Sequence, residues 1–95
     1  MGFKVEFNWI LKIKDQEQLK NLKKGEARIF HKKEQRIYPV GIPIFLADGN
    51  LNCLGIVTVK KTIMSDAMEI ETFIDDVFEG RKKEFLSNVL RETYG

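Results

Sequence analysis

The stretch RIYPVGIPIFLADGNLNCLGIVTVKK, residues 36–61, decides the fold, because it predicts two strands joined by a turn. Apolar residues recur at every second position in both halves, as in strands with one buried face. The Asp-Gly-Asn sequence at positions 48–50 separates the halves and is typical of a turn. We therefore expect a hairpin over residues 37–63. In its first half Val40, Ile42, Ile44 and Leu46 face inward. In its second half Cys53, Gly55, Val57 and Val59 alternate with Leu54, Ile56, Thr58 and Lys60, which indicates a well-buried strand.

Two prolines in the first half of this hairpin restrict how the strand can pair. Pro39 and Pro43 have no backbone N–H, and their spacing of four places both on the same side of an extended strand. Proline is tolerated at the edge of a sheet, where that side has no partner. The pattern therefore predicts either an edge strand, whose other side pairs with the strand at residues 53–59, or an arm that wraps onto a barrel before pairing.

The N-terminal residues predict a long strand. From residue 3 to residue 13 every odd position is apolar, whereas most even positions are polar or charged. This period of two indicates one buried face along the whole length. The residues expected in the core are Phe3, Val5, Phe7, Trp9, Leu11 and Ile13.

A short helix is predicted after this strand, over residues 15–25. Asp15 can cap the first turn with Gln18 at the capping-box position, and Gly25 can end the helix. Lys23 and Lys24 would then lie in the last turn, where the helix dipole favours cations. Only two leucines supply apolar contacts, so we expect this helix on the surface.

The remaining chain predicts two more strands and a second helix. Residues 26–31 are expected to form a strand. Residues 67–77 fit both helical and strand spacing, and we favour a strand because the hairpin needs an antiparallel partner and β-branched residues suit one. After Gly80 an apolar stripe predicts a helix that packs through Phe85, Leu86, Val89, Leu90 and Tyr94. The predicted fold class is mainly β with flanking helices (α+β), a small barrel-like domain over residues 1–95.

The composition is that of a folded domain. The chain has 95 residues, 43% of them hydrophobic and 32% charged, which fits a globular protein rather than a disordered one. No apolar run reaches the roughly 20 residues that span a bilayer, so we expect a cytoplasmic protein without a membrane partner. Cys53 is the single cysteine, which excludes an intramolecular disulfide and favours a small apolar strand residue.

Side chains for catalysis or metal binding are few. His31 is the only histidine and Cys53 the only cysteine, and together they cannot form a structural zinc site. Glu69, Glu71 and Asp75 could share one face of a strand and hold Mg²⁺, but a solvent-facing acidic strand is the favoured interpretation. No glycine-rich phosphate loop is present. We predict no catalytic residue, no metal site and no cofactor.

Basic residues are concentrated in one part of the chain. Residues 20–36 carry seven Lys or Arg against two Glu, a net charge of +5, whereas residues 66–79 carry six Asp or Glu and no Lys or Arg. Clustered cations beside aromatic side chains are typical of nucleic-acid surfaces, and the alternative is a solvated face. The candidate ligand-binding or nucleic-acid-binding residues are Arg28, His31, Lys32, Lys33, Arg36, Tyr38, Lys60 and Lys61.

Three segments of the hairpin carry a resemblance to a known group. They are Arg36-Ile37-Tyr38-Pro39, Ile42-Pro43-Ile44, and Leu54-Gly55 with Val57 and Val59. In these segments the chain resembles a small bacterial domain family related to the PUA-like β-barrels, which include ASCH domains. The resemblance implies a PUA-like pseudo-barrel that binds RNA or modified nucleosides.

The same resemblance implies an enzymatic alternative. Some small ASCH proteins are amidohydrolases of modified cytidine, with a Gly-x-Lys segment and with Lys, Thr and Glu as working residues. Here Gly25 is followed by Glu26 and Ala27, so the lysine of that segment is missing. The remaining candidates match in residue type only, and they are Lys61, Thr62 and Glu69.

Three functions follow from the sequence. The leading hypothesis is a non-catalytic binding module for RNA or a nucleotide-like ligand, which uses the basic residues named above. The alternative is a protein-interaction or structural domain, whose acidic strand and basic turn meet a protein partner or a second copy of the chain. The third is a small hydrolase of modified nucleosides.

Overall fold

The centre of the structure, a computed structural model that describes residues 7–94, is one mixed five-stranded sheet. In space the strands follow the order β1-β3-β4-β5-β2. The predicted class, mainly β with flanking helices, is confirmed. The strands are β1 Ile10–Ile13, β2 Ala27–Lys32, β3 Pro43–Asp48, β4 Cys53–Met64 and β5 Met68–Val77, and they are accompanied by a 3₁₀ turn at Gln16–Leu19 and the helix α1 at Gly80–Tyr94.

Three neighbouring pairs of strands are antiparallel, and only the pair β1–β3 is parallel. The predicted hairpin is confirmed as β3–β4, in which Ile44 lies opposite Val57. The ambiguous segment 67–77 is the strand β5, and it pairs with both β4 and β2. Among the described residues, no helix is long and apolar enough to cross a membrane.

The prediction that β3 is an edge strand is wrong. β3 lies between β4 and β1, whose pairing with β3 begins at Phe45. Pro43 is the first residue of β3 and precedes that pairing, so its missing N–H does not interrupt the β1–β3 ladder. Pro39 lies outside the strand altogether. The prolines therefore lie before β3 or at its first residue, and they do not indicate that β3 is at the edge of the sheet.

One face of the sheet, called the inner face, carries the main core. The predicted inward positions Leu11 and Ile13 are buried on this face, and so are Val57 and Val59 of β4, whereas Cys53 is buried on the opposite face. The register shift between Ile56 and Val57 interrupts the alternation, so a period of two does not hold along the whole of β4. The buried apolar residues of the inner face are Leu11, Ile13, Phe30, Tyr38, Ile44, Leu46, Val57, Val59, Met68, Ile70 and Ile74.

Four residues predicted in the core are exposed. Phe7 and Trp9 precede β1, whereas Val40 and Ile42 precede β3. All four expose 46 to 60% of their surface, because the sheet that would cover them has not yet begun. The apolar alternation continues along the chain beyond the residues that pair with a neighbouring strand. For this reason it overestimates the length of both strands within the described residues. The predicted core residues Phe3 and Val5 lie outside the described residues.

The first predicted helix is only the 3₁₀ turn Gln16–Leu19. The Asp15 side chain does cap it, but it accepts from the N–H of Glu17 at 3.0 Å rather than from that of Gln18, which a capping box would use. The chain leaves the helical conformation at Lys20, and Asn21 has a positive φ of 57°. The prediction that Lys23 and Lys24 form a last helical turn is therefore wrong. Carbonyl groups that would continue a helix here accept hydrogen bonds from Arg28 instead.

Helix α1 covers part of the outer face, where it packs on the β3–β4 hairpin. The residues buried beneath it are Ala47, Cys53, Phe78 and Leu90. The apolar stripe predicted for this helix is only partly correct, because Phe85, Val89 and Tyr94 are exposed. The buried polar contact is Ser87, which accepts from the Cys53 N–H at 2.7 Å and donates to the Lys83 carbonyl at 2.6 Å.

Removal of the Ser87 hydroxyl should destabilise the protein, because the buried N–H of Cys53 would lose its partner. We expect Ser87→Ala to lower the free energy of unfolding by about 1–3 kcal/mol, as measured by chemical denaturation. Ser65→Ala is the matched control, since the Ser65 hydroxyl lies in an exposed turn, and it should change stability by less than about 0.5 kcal/mol. Equal losses in the two variants would contradict this role.

Gly55 allows β4 to approach β5 closely. A Cβ atom built at this glycine would collide with the backbone carbonyl oxygen of Asp76 on β5. Register shifts of the β-bulge type occur next to it, between Ile56 and Val57, and again between Val59 and Lys61. Bulges bend a strand and increase its twist, so β4 is the strand along which the sheet curls.

Gly55→Ala should therefore cost about 1–3 kcal/mol of stability, because backbone must move to accommodate the methyl group. Gly49→Ala serves as the control, since a Cβ there meets only Lys14 atoms at ordinary contact distances of 3.5 Å or more. Denaturation midpoints of the two variants against the wild type measure the difference. A Gly55→Ala protein as stable as Gly49→Ala would show that the close approach is not a constraint.

Candidate functional site

The two edge strands of the sheet, β1 and β2, face each other across a gap that we call the seam. Within the described residues they form no ladder with each other. A side chain joins them instead: Lys32 Nζ, from β2, donates to the backbone carbonyl of Lys12, in β1, at 2.7 Å. The sheet is therefore curled until its first and last strands approach each other.

The inner face of β2 has a basic residue on either side of a buried phenylalanine. Phe30 is completely buried, and Arg28 and Lys32 flank it along the strand. The Arg28 guanidinium forms a 2.7 Å ion pair with Glu26. It also donates to three backbone carbonyls, at 3.2, 2.8 and 3.0 Å, those of Gln18, Lys20 and Asn21. Arg28 thus holds the segment after the 3₁₀ turn against β2.

The side-chain amide of Gln18 caps the free edge of β2. Its Nε2 donates to the His31 carbonyl at 2.9 Å, and its Oε1 accepts from the His31 N–H at 2.6 Å. These two bonds replace those that a neighbouring strand would make. The His31 ring lies on the outer face, where Nδ1 is 3.7 Å from Glu69.

A small cavity of about 220 Å³ opens beside the seam, and we call it the seam cleft. Its charged lining consists of four cations and one carboxylate. The cations come from β1 and the residue after it, from β2 and from the loop after β2, so the approach of the two edge strands brings them together. The charged residues are Lys12, Lys14, Lys32, Arg36 and Glu34, and the aromatic residues of the lining are Tyr38 and Tyr94.

A second cavity, of about 510 Å³, lies on the other side of the same charged residues. It shares Lys14, Lys32 and Glu34 with the seam cleft. Its remaining lining is mixed, and it includes Ile13, Asp15, Gln18, His31, Lys33 and Ala67. A volume of this size falls within the usual range for small-molecule sites.

Burial and charge both shift the pKa values of the site. Burial lowers the pKa of Lys32, and the neighbouring cations Arg36, Lys14 and Lys12 lower it further, whereas Glu34 opposes them. A hydrogen bond from Lys14 lowers the pKa of Glu34, with help from the charges of Lys14 and Arg36. Burial raises the pKa of Tyr38 to about 12. Its hydroxyl oxygen accepts a hydrogen bond from Lys32 Nζ at 3.2 Å.

The structure brings together only some of the residues selected from the sequence. Lys32, Arg36 and Tyr38 line the seam cleft, and His31 and Lys33 line the larger cavity. Arg28 is engaged with backbone carbonyls outside both cavities.

Lys60 and Lys61, also selected from the sequence, lie on β4 and line neither cavity. Lys60 Nζ is 5.8 Å from the centroid of the Phe73 ring, and Lys61 lies opposite Glu71 of β5. These two lysines therefore do not join the cations that line the seam cleft.

Four charged or aromatic residues of the seam cleft are not among the candidates selected from the sequence: Lys12, Lys14, Glu34 and Tyr94. A signal for the two lysines was present, because a period of two places both on the same side of β1 together with Asn8. Nothing in the sequence indicates that β1 faces β2, since 13 residues separate these strands.

The residues proposed for an amidohydrolase lie on two faces of the sheet. Thr62 pairs with the buried Ile70, whereas Lys61 pairs with Glu71 and Ile63 pairs with Glu69. Because neighbouring strand residues point to opposite faces, Thr62 is directed inward and Lys61 and Glu69 outward. These three side chains therefore do not converge on one reacting atom.

The fold is similar to that of a solved structure, the crystal structure of protein ytmB from Bacillus subtilis. The TM-score is 0.58 at 21% sequence identity, and the match covers 82% of this chain and 95% of ytmB. At that identity the likeness shows the fold alone. No protein-family model matches the sequence, and no curated protein matches it. The use of the site must therefore be argued from its geometry.

The buried Tyr38 hydroxyl should make stability fall at alkaline pH. Its pKa rises from an ordinary value of 10 to about 12 in the folded protein, so its contribution is fully present below pH 10 and is lost as the pH rises through about 12. We expect the ultraviolet absorbance of tyrosinate to show a component near pH 12 that is missing from Tyr38→Phe. The stability of Tyr38→Phe should also fall less over this interval. A wild-type titration without the late component would contradict the burial of this hydroxyl.

Proposed function

We propose that the protein is a small, cytoplasmic, non-catalytic binding module of the PUA-like kind, and that it binds RNA or a nucleotide-like ligand through phosphate groups held in the seam cleft. The observation that carries this proposal is that Lys12, Lys14, Lys32 and Arg36 line one cleft, where Glu34 is the only carboxylate among the described residues. The PUA-like assignment is supported by the hairpin sequence and by the curled, mainly β sheet.

Phosphate is the ligand group that this arrangement suits. Lysine and arginine contacts supply most of the affinity of proteins for nucleic-acid backbones. Arg36 adds a planar set of N–H donors that matches the oxygens of a phosphate, and about half of its side chain is exposed. Lys14 is more exposed still, so both can reach a ligand without unfolding the seam.

An aromatic side chain beside the cations would hold the base. Tyr94 lines the seam cleft and is 56% exposed, so one face of its ring is open to stacking. Stacking on an aromatic ring tolerates any base, whereas the cations follow the phosphates. This combination predicts binding with a strong dependence on salt and with little dependence on base sequence.

Titration of fluorescently labelled single-stranded and structured RNA at low salt tests the proposal. We expect saturable binding that weakens by about tenfold or more in Lys14→Glu and in Arg36→Glu, because each reverses a charge at the cleft. Lys24→Glu is the matched control, since Lys24 is exposed and lines neither cavity, and it should have a much smaller effect. Lys61→Glu tests whether the wider basic surface contributes.

Two outcomes would reject the proposal. One is the absence of saturable binding to either RNA. The other is binding that Lys14→Glu and Lys24→Glu weaken equally, because this would show attraction by net charge without a site.

A protein-interaction domain is a second candidate, and exposed apolar residues of helix α1 favour it. Phe85 is 67% exposed and Val89, one turn later, is 40% exposed. Neighbouring apolar side chains of this kind often mark an interface with a protein or with a second copy of the chain. A stable dimer in light scattering that dissociates in Phe85→Ser would support this candidate over RNA binding.

A further inference from the structure

Glu34 is ion-paired with two of the four cations that line the seam cleft. Its Oε1 lies 3.3 Å from Lys14 Nζ, and its Oε2 lies 2.9 Å from the Nη2 of Arg36. It is the only carboxylate that lines the cleft among the described residues. A carboxylate of the chain thus stands where the phosphate of a ligand would bind.

Because the Glu34 carboxylate already binds the cations, a ligand must compete with it for them. Glu34 is tethered two residues from Arg36, so its effective concentration at the cations is about millimolar or higher. A backbone phosphodiester carries one negative charge, as Glu34 does, and would exchange one monovalent anion for another. A ligand that displaces Glu34 must therefore offer more charge or more acceptor oxygens than a carboxylate.

A terminal phosphate meets this requirement. A phosphate monoester carries a charge of about −1.5 to −2 at neutral pH and presents three strong acceptor oxygens. Four cations line the cleft, so both charges of a monoester can be neutralised even when Glu34 remains nearby. An internal phosphodiester has neither the second charge nor the third free oxygen.

The size of the cleft supports the same conclusion. Its volume of about 220 Å³ lies below the roughly 300–1,000 Å³ of pockets that enclose a whole small molecule. It can take a terminal group, whereas the adjoining cavity of about 510 Å³ has room for the nucleoside that follows. Lys14 and Lys32 line both cavities and would contact the junction between phosphate and sugar.

We propose that the seam cleft selects a terminal phosphate monoester, at the end of an RNA strand or on a free nucleotide, over internal phosphodiesters, and that Glu34 determines this selectivity. The inference rests on the proposed function, because it assumes that the cleft binds phosphate. It adds that the bound phosphate is a terminal monoester and that Glu34 is the residue that determines this specificity.

The experiment compares one single-stranded RNA oligonucleotide with a 5′-phosphate and with a 5′-hydroxyl. The wild-type protein should bind the phosphorylated form about tenfold more tightly at low salt. This preference should increase as the pH rises through about 6, where the monoester gains its second charge. Adenosine monophosphate as competitor distinguishes the sources: strong competition indicates a free nucleotide as the ligand, and weak competition indicates an RNA end. Either result supports a terminal phosphate monoester as the group that binds in the cleft.

Glu34→Gln should bind the 5′-hydroxyl oligonucleotide more tightly than the wild type, so that the preference for the phosphorylated form narrows severalfold. Glu17→Gln removes the same charge from an exposed ion pair with Lys20, away from the cleft, and should keep the wild-type preference. Arg36→Gln should weaken the binding of both oligonucleotides.

The outcomes separate this inference from the proposed function. Equal wild-type affinity for the two oligonucleotides, with loss of both in Arg36→Gln, would overturn the selectivity and leave phosphate binding in place. A preference that is the same in Glu34→Gln and Glu17→Gln would overturn the role of Glu34. If neither wild type nor Glu34→Gln binds either oligonucleotide, the proposed function fails and the inference with it.

Discussion

Lys32 Nζ of β2 donates a hydrogen bond to the Lys12 carbonyl of β1. This bond joins the two edge strands of the sheet, which form no ladder with each other among the described residues, and the rest of the structure depends on their approach. Five strands with bulges in β4 curl the sheet without completing a barrel. Side chains must then satisfy the backbone groups that face the gap, because unpaired strand edges are costly when buried and prone to aggregation when exposed. Gln18 does this for His31, and Arg28 does it for the chain after the 3₁₀ turn.

The residues that join the seam also give it its charge. Long basic side chains can extend from a buried strand position to a carbonyl at the rim, because their stems are apolar and their ends are multiple donors. Because such donors are cationic, a seam that they close has a net positive charge. The carboxylates of Glu34 and Glu26 neutralise only part of this charge. The site is therefore a consequence of how the sheet closes, and it needs no separate element of structure to hold it.

Much of the fold follows from local patterns, and the errors have identifiable causes. Period-two alternation predicts β4 and β5 well because both are paired on two sides over most of their length. It fails at Trp9 and Val40, where the apolar pattern extends beyond the paired strand. Part of the candidate site was predicted as well: Lys32, Arg36 and Tyr38 belong to one continuous basic segment, whereas Lys12 and Lys14 lie in and directly after a distant strand.

The sequence by itself determined that strands form in these segments, most of the positions that they bury and the turn between β3 and β4, because side-chain alternation and turn propensities act between neighbouring residues. Only the tertiary structure decided that Lys14, Glu34 and Arg36 meet, that Arg28 closes a gap instead of facing a ligand, and that Lys61 is remote from the cleft. These outcomes depend on the strand order and on the curl of the sheet, which bring its first and last strands together. Contacts between residues about 20 positions apart leave no periodic signal in a sequence, so the charge cluster exists only once the seam has formed.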